Sequence, residues 1–302
     1  MKTFFLKSIF LVLLVAISIK GVCLIVSSLI RNPNVYIAGT IDKENRLRNT
    51  RSPRIILVGG SNIAFGVDSK LIEAAFHRDV VDMSMHAGLG LAFPLNESLD
   101  GIRDSDIVIL STEYYLDKPD MKLLPGLLDV NPDARKYVSL QPLDLIPFYV
   151  GDLQRCVSGL ILKFGKRQDS IYTRSAFSPE GYVISHLGKK NIPIRPPVIP
   201  QTDYTANLKL INAYIDSVKK RNATIYYLFP TCQQSTYMLN QKSIENFAGL
   251  MTQNLHCQVI NTPLTFVYSD SLYFNTEYHL NQQGRALRTN KTIEILQGFI
   301  PR

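Results

Sequence analysis

The chain has 302 residues, with 33 Lys and Arg against 25 Asp and Glu, a net charge of +8. Beyond its apolar N-terminus that length holds one large domain or two small ones, and a composition 46% hydrophobic and 19% charged excludes a disordered or fibrous chain. The basic residues are scattered or sit in short clusters such as Lys219-Lys220-Arg221. That pattern describes solvated surface with some affinity for anionic membrane or polymer, and no nucleic-acid partner is expected.

Residues 1–30 come first. Lys2 and Lys7 precede an apolar stretch from Ser8 to Ile30, interrupted only by Lys20 and long enough to span a bilayer. Ser8 to Ile19 alone would serve as a signal-peptide core, but no small-x-small cleavage site follows, so an uncleaved anchor is preferred to a cleaved signal. Lys2 and Lys7 favour an inside N-terminus, while Arg31, Lys43, Arg46, Arg48, Arg51 and Arg54 pull the other way. The expectation is a single-pass membrane protein with its domain outside the cytoplasm. Residues 31–52, polar and basic, read as a linker.

Strand and helix signals then alternate. Ile55–Val58 is a short apolar run of buried-strand type, and Asp68 to Phe76 reads as a helix capped by Asp68. Val80–Met83 is a second strand, Leu91 to Leu99 a helix, and Asp106–Leu110 a third strand. From Tyr115 to Pro200 the rhythm breaks into a proline- and aromatic-rich stretch, read as an inserted lid or partner surface. Ala206 to Arg221 is helical, Thr224–Phe229 a fourth strand, Ser243 to Leu255 a helix, Cys257–Ile260 a fifth strand, and Asn281 to Leu296 the closing helix. This order predicts an α/β domain over 53–302: a flavodoxin-like parallel sheet in three layers. Cys23 lies in the apolar segment, and of Cys156, Cys232 and Cys257 at most two can pair, which leaves a Cys232–Cys257 bridge open.

In such a sheet ligands sit beyond the carboxyl ends of the strands. The loop after the first strand reads "GGSNIAFG", without the GK[ST] of a phosphate loop; the loop after the second contains "GLGLAF", with Phe93 where a dinucleotide fingerprint needs glycine. Ser61, on the turn after the first strand, is either a helix cap or a nucleophile. A serine hydroxyl needs a base, and His279 in "YFNTEYHLNQQG" stands just before the closing helix. No His, Cys, Asp or Glu cluster has metal-ligand spacing, so neither metal nor other cofactor is expected.

Ser61 in "GGSN", the glycine loop after the second strand and the late "YHLNQQG" resemble the SGNH (GDSL-type) hydrolase superfamily, and within it the membrane-anchored bacterial branches that modify or help assemble cell-surface polymers. The resemblance covers residues 53–113 and 222–297. It implies Ser61 as nucleophile, His279 as general base, and the N–H of Ser61 and of Gly88, or else Gly90, in the oxyanion hole. Two positions depart. Glu113 stands where the third block has an oxyanion-binding asparagine, with Asn62 as a substitute donor. The usual aspartate three before the histidine is Thr276, which leaves Asn275 as orienter, or Glu277 as the alternative. Glu113 is otherwise read as an ion-pair partner of Arg285 or Arg288, and His86 as a hydrogen-bonded loop residue.

The implied function is a serine esterase or O-acyltransferase acting on an acylated glycan or cell-wall polymer of the cell surface. The partners are that polymer, the membrane and envelope-assembly proteins. The alternative is a catalytically inactive SGNH-fold protein with a non-enzymatic role in surface-polymer assembly; a weaker third reading is a lipid- or glycan-binding module built on the aromatic insertion.

Overall fold

A computed structural model describes residues 2–115, 118–165 and 170–300. Its first element is one continuous helix, α1 (Lys2–Ile30), followed by α2 (Gly39–Asn49). The sheet then begins with β1 (Ile55–Gly59), and a single turn of helix, α3 (Ser61–Ala64), leads into α4 (Ser69–Phe76). Next come β2 (Val80–Asp82), α5 (Ala92–Leu99) and β3 (Ile107–Ser111). The insertion carries α6 (Leu123–Val130) and α7 (Leu145–Gly165). The second half runs α8 (Thr205–Lys219), β4 (Thr224–Tyr227), β5 (Cys232–Gln233), α9 (Gln234–Asn254), β6 (Gln258–Val259), β7 (Val267–Tyr268) and α10 (Gln282–Leu296).

The main sheet has the order β2-β1-β3-β4-β6 with every pairing parallel, the order of flavodoxin-type doubly wound sheets. Every residue of β1 and β3 is buried, as a central parallel strand covered on both faces must be. Alternation along the strands divides the core. Ile56, Val58, Val108 and Leu110 pack with Ile211, Ile215, Ile244 and Phe247 of α8 and α9. Ile55, Leu57, Ile107 and Ile109 pack with Ile72 and Phe76 of α4 and Leu296 of α10. β5 and β7 form a separate two-stranded pair.

Asp68 accepts from the Leu71 N–H at 3.3 Å and Asn281 from the Gly284 N–H at 3.0 Å, so both expected helix starts carry their caps. Three expectations are corrected. Residues 31–52 are not a simple linker: α2 lies within them, with Thr40, Lys43 and Leu47 buried. α9 begins nine residues earlier than its periodicity suggests, at Gln234, as two helical stretches joined across a kink at Asn240 (φ −118°, ψ 18°). Finally, a single N-terminal span is not supported. Among the described residues the stretch long and apolar enough to cross a bilayer is Pro142–Lys163, 22% buried, while the apolar run in the N-terminal helix is Ile17–Ile30. All four cysteines are free.

The insertion builds a third core at the carboxyl end of the sheet, where Leu124, Leu127, Phe148 and Val183 join Tyr36, Phe65, Met85 and Phe93. Its returning segment is tied down by backbone bonds, Val183 N–H to Ala64 O at 2.7 Å and Asp82 N–H to Glu180 O at 2.9 Å. It therefore belongs to the domain body rather than lying loosely above it.

Under the opposite end of the sheet sits Arg54, completely buried. Its guanidinium donates to Asp106 at 3.2 and 3.3 Å, to the carbonyls of Gly101 at 2.6 Å and Thr50 at 2.9 Å, and to that of Leu47. Removing one member of a buried pair leaves an uncompensated charge. Arg54→Met is expected to destabilise the fold by about 3–5 kcal/mol, read as a lower urea midpoint at unchanged m-value. An unchanged midpoint would contradict this account.

Candidate active site

Two glycines end β1 because nothing larger fits. A Cβ on Gly59 would lie 2.1 Å from the Ser111 carbonyl oxygen, and one on Gly60 would lie 2.2 Å from both carboxyl oxygens of Glu113. Gly60 occupies the N-cap position of α3 but has no side chain to cap with. Glu113, at the end of the neighbouring strand, takes over: its Oε1 accepts from the Asn62 N–H at 3.1 Å and from Asn62 Nδ2 at 3.2 Å.

Asn62, fully buried, is the hub of this turn. Nδ2 also donates to the Ser111 carbonyl at 3.1 Å, while Oδ1 accepts from Ser111 Oγ at 3.1 Å and from Arg288 at 3.0 Å. Arg288 donates to the Asn62 carbonyl as well. Neither Arg288 nor Arg285 forms the expected ion pair with Glu113 among the described residues; Arg285 pairs instead with Asp68 at 3.4 Å. Burial pushes the Glu113 carboxyl up from its ordinary range, opposed by the Asn62 donors and by the Arg288 charge.

Ser61 is half-buried at the first position of α3. Phe65, four residues on and so on the same side of the turn, lies flat against the His279 ring, with centroids 3.9 Å apart and planes 8° from parallel. The serine turn and the histidine thus meet through Phe65. Among the described residues no hydrogen bond links Ser61 Oγ to His279 Nε2.

His279 Nδ1 lies 2.8 Å from Asn275 Oδ1, and Asn275 Nδ2 donates to Tyr172 Oη at 2.7 Å. With the amide oxygen facing the ring, Nδ1 carries the proton and Nε2 keeps its lone pair. Thr276, at the position of the missing aspartate, caps the loop instead: its Oγ1 accepts from the N–H groups of Tyr278 and His279. Glu277 does not orient the histidine; its Oε1 accepts from Tyr115 Oη at 3.0 Å.

The glycine loop spends its donors internally. The Gly88 N–H goes to His86 Nδ1 at 2.9 Å and the Gly90 N–H to the Ala87 carbonyl at 2.9 Å. Beside the loop opens a cleft of about 480 Å³ including its mouth, walled by Met85, Leu89, Leu91 and Leu95 and by the polar groups of His86, Thr112 and Glu113. Gly59 and Gly60 line it, which puts the turn bearing Ser61 at its edge. Among the described residues no group of three or more His, Cys, Asp or Glu could hold a metal ion.

Two participants come from the insertion and have no motif to announce them. Tyr172 fixes Asn275, and His186, 1% exposed, sits 4.8 Å from the Phe65 ring and bonds through Nε2 to the Leu280 carbonyl at 3.0 Å. Desolvation lowers His279 from its ordinary 6.5 to about 3, with smaller contributions from His186 and His86, and lowers His186 to about 4.

Both histidines are neutral in the folded protein where an unfolded chain would bind a proton. Stability contributed by each is therefore present above pH 6.5 and lost as pH falls toward its folded value, at about 1.4 kcal/mol per pH unit. Urea titrations of wild type and His186→Gln at pH 7 and pH 5 isolate the effect. The wild type is expected to lose more stability over that interval, and equal losses would contradict the buried neutral state of His186.

No protein-family model, no curated protein and no solved structure matches the chain.

Proposed function

We propose that the protein is a serine esterase or O-acyltransferase of SGNH type, working outside the cytoplasm at a membrane on an acylated glycan or cell-wall polymer. The observation that carries this reading is the His279–Asn275 pair at 2.8 Å, stacked on Phe65 one helical turn from Ser61. It leaves Nε2 as the candidate base, on the ring that Phe65 joins to the strand-to-helix turn carrying the Ser61 hydroxyl. The apolar wall of the cleft suits the acyl group.

In this mechanism Ser61 Oγ attacks the acyl carbonyl carbon and its proton passes to His279 Nε2. The ester C–O bond breaks, and the leaving alkoxide takes that proton, giving an acyl-Ser61 intermediate. Water or a sugar hydroxyl then loses its proton to His279 and attacks the acyl carbon; Ser61 departs and recovers the proton. Asn275 holds the ring orientation but, being neutral, stabilises the imidazolium less than a carboxylate would. With the Gly88, Gly90 and Asn62 donors already engaged, the Ser61 N–H is the group assigned to the oxyanion.

Covalent labelling of the full chain with a fluorophosphonate tests the reading. Wild type is expected to react, Ser61→Ala not at all, and His279→Ala at least about 10³-fold more slowly. Because His279 is lowered to about 3, labelling is expected to show no inflection near pH 6.5.

The inactive alternative rests on one observation of its own, the absence among the described residues of a Ser61–His279 hydrogen bond. Folded wild type that fails to label over the whole pH range would favour it.

A further inference from the structure

α1 and α7 run side by side in the same direction. Lys20 pairs with Asp152 at 3.3 Å and lies over the Tyr149 ring, Cys156 Sγ bonds to the Cys23 carbonyl, and Lys163 donates to the Leu29 carbonyl. Their contact is close because Gly159 faces Ile30, where a Cβ would come within 2.5 Å.

The carboxylates of this pair point inward. Asp152, 5% exposed, holds Lys20 and Arg155 (2.9 Å); Arg155 reaches Ser27 and Asp129 of α6 (3.4 Å), and Asp129 also takes Arg31 (2.8 Å), with Lys20 and Arg31 themselves half-exposed. The outward face of α7 is apolar at helical spacing: Ile146 is 75% exposed, Tyr149 51%, Val150 50%, Val157 52% and Ile161 67%, with Leu153 between them and the polar Gln154 and Ser158 only on its flank. A helix that meets water does the reverse. Carboxylates held between helices by cations, with apolar side chains facing out, are the arrangement a hydrocarbon medium imposes.

The same surface continues onto α1. There Phe4, Phe5 and Leu6, consecutive and so about 100° apart around the axis, are 78%, 67% and 65% exposed. A protein groove covers one face of a helix, whereas only a surrounding medium covers all of them. At the other end both helices finish on cations, Arg31 and Lys163, which suit a headgroup layer.

We infer that the outward face of α7 is seated in the lipid bilayer beside α1, so that the domain is held by a two-helix apolar surface rather than by one N-terminal span. The membrane location of α1 is part of the functional reading above; the lipid contact of α7 goes beyond it.

The chain contains no tryptophan, so a single introduced Trp reports one position. Full-length Val157→Trp and Ile161→Trp, with Val22→Trp as the α1 probe and Leu264→Trp as the remote control, are reconstituted into phosphatidylcholine–phosphatidylglycerol vesicles with brominated acyl chains. Both α7 probes are expected to lose most of their emission, as Val22→Trp does, while Leu264→Trp keeps its own. Unquenched α7 probes beside a quenched Val22→Trp would overturn the inference alone; red-shifted emission would then mean a water-facing α7, and blue-shifted emission a second protein surface covering it. If Val22→Trp also escaped quenching, the membrane reading of α1 would fall with it. All four positions are exposed, at 52%, 67%, 58% and 64%, so the added indole displaces nothing.

Discussion

The site rests on a carboxyl group buried beneath a turn. Glu113 lies so close to Gly60 that no side chain could stand there, and it supplies the helix cap that this glycine cannot. Asn62 then ties β1, β3 and α10 together through Ser111, Glu113 and Arg288. Each of these groups needs the others, since a buried donor or acceptor left alone costs about 1–3 kcal/mol. The position and half-exposure of Ser61 follow from this network. So does the departure from an SGNH pattern at residue 113: a carboxyl there is compatible with the turn because burial favours its neutral form and Asn62 satisfies one of its oxygens.

The sheet was legible because its strands are short apolar runs between turn residues, and five such runs pair as expected, in parallel. The placement of Ser61 on the turn after β1 and of His279 just before α10 was legible from the strand end and the Asn281 cap, whereas Asn275 was named only through the resemblance. What could not be read depends on tertiary contact. Lys43 and Glu44 look like a solvated charge run, yet Lys43 is buried against Asp82, the Gly181 carbonyl and the Phe177 ring, and α2 is part of the domain. Tyr172 and His186 belong to an irregular stretch with no periodicity, and only folding brings them to Asn275 and Phe65. The Gly88 and Gly90 donors looked available because sequence cannot show that His86 and Ala87 already accept from them.

Polarity is arranged differently in the two parts of the domain. Around the sheet apolar residues fill the interior, interrupted by enclosed pairs such as Arg54–Asp106 and Lys43–Asp82; between α1, α7 and α6 the carboxylates lie inside and the outward side chains of α7 are apolar. α6 joins the two regimes, for Leu123 abuts Gly88 in the glycine loop while Asp129 anchors Arg155 and Arg31.

Ser61 and His279 lie far apart in the chain, Ser61 on the first turn of the sheet and His279 just before the last helix. Under the proposed mechanism, chain order would delay activity. A growing polypeptide carries the hydroxyl on its turn long before Asn62 meets Arg288 or Phe65 meets the imidazole. In that mechanism Ser61 becomes competent only once α10 has docked, so a truncated product would be chemically silent.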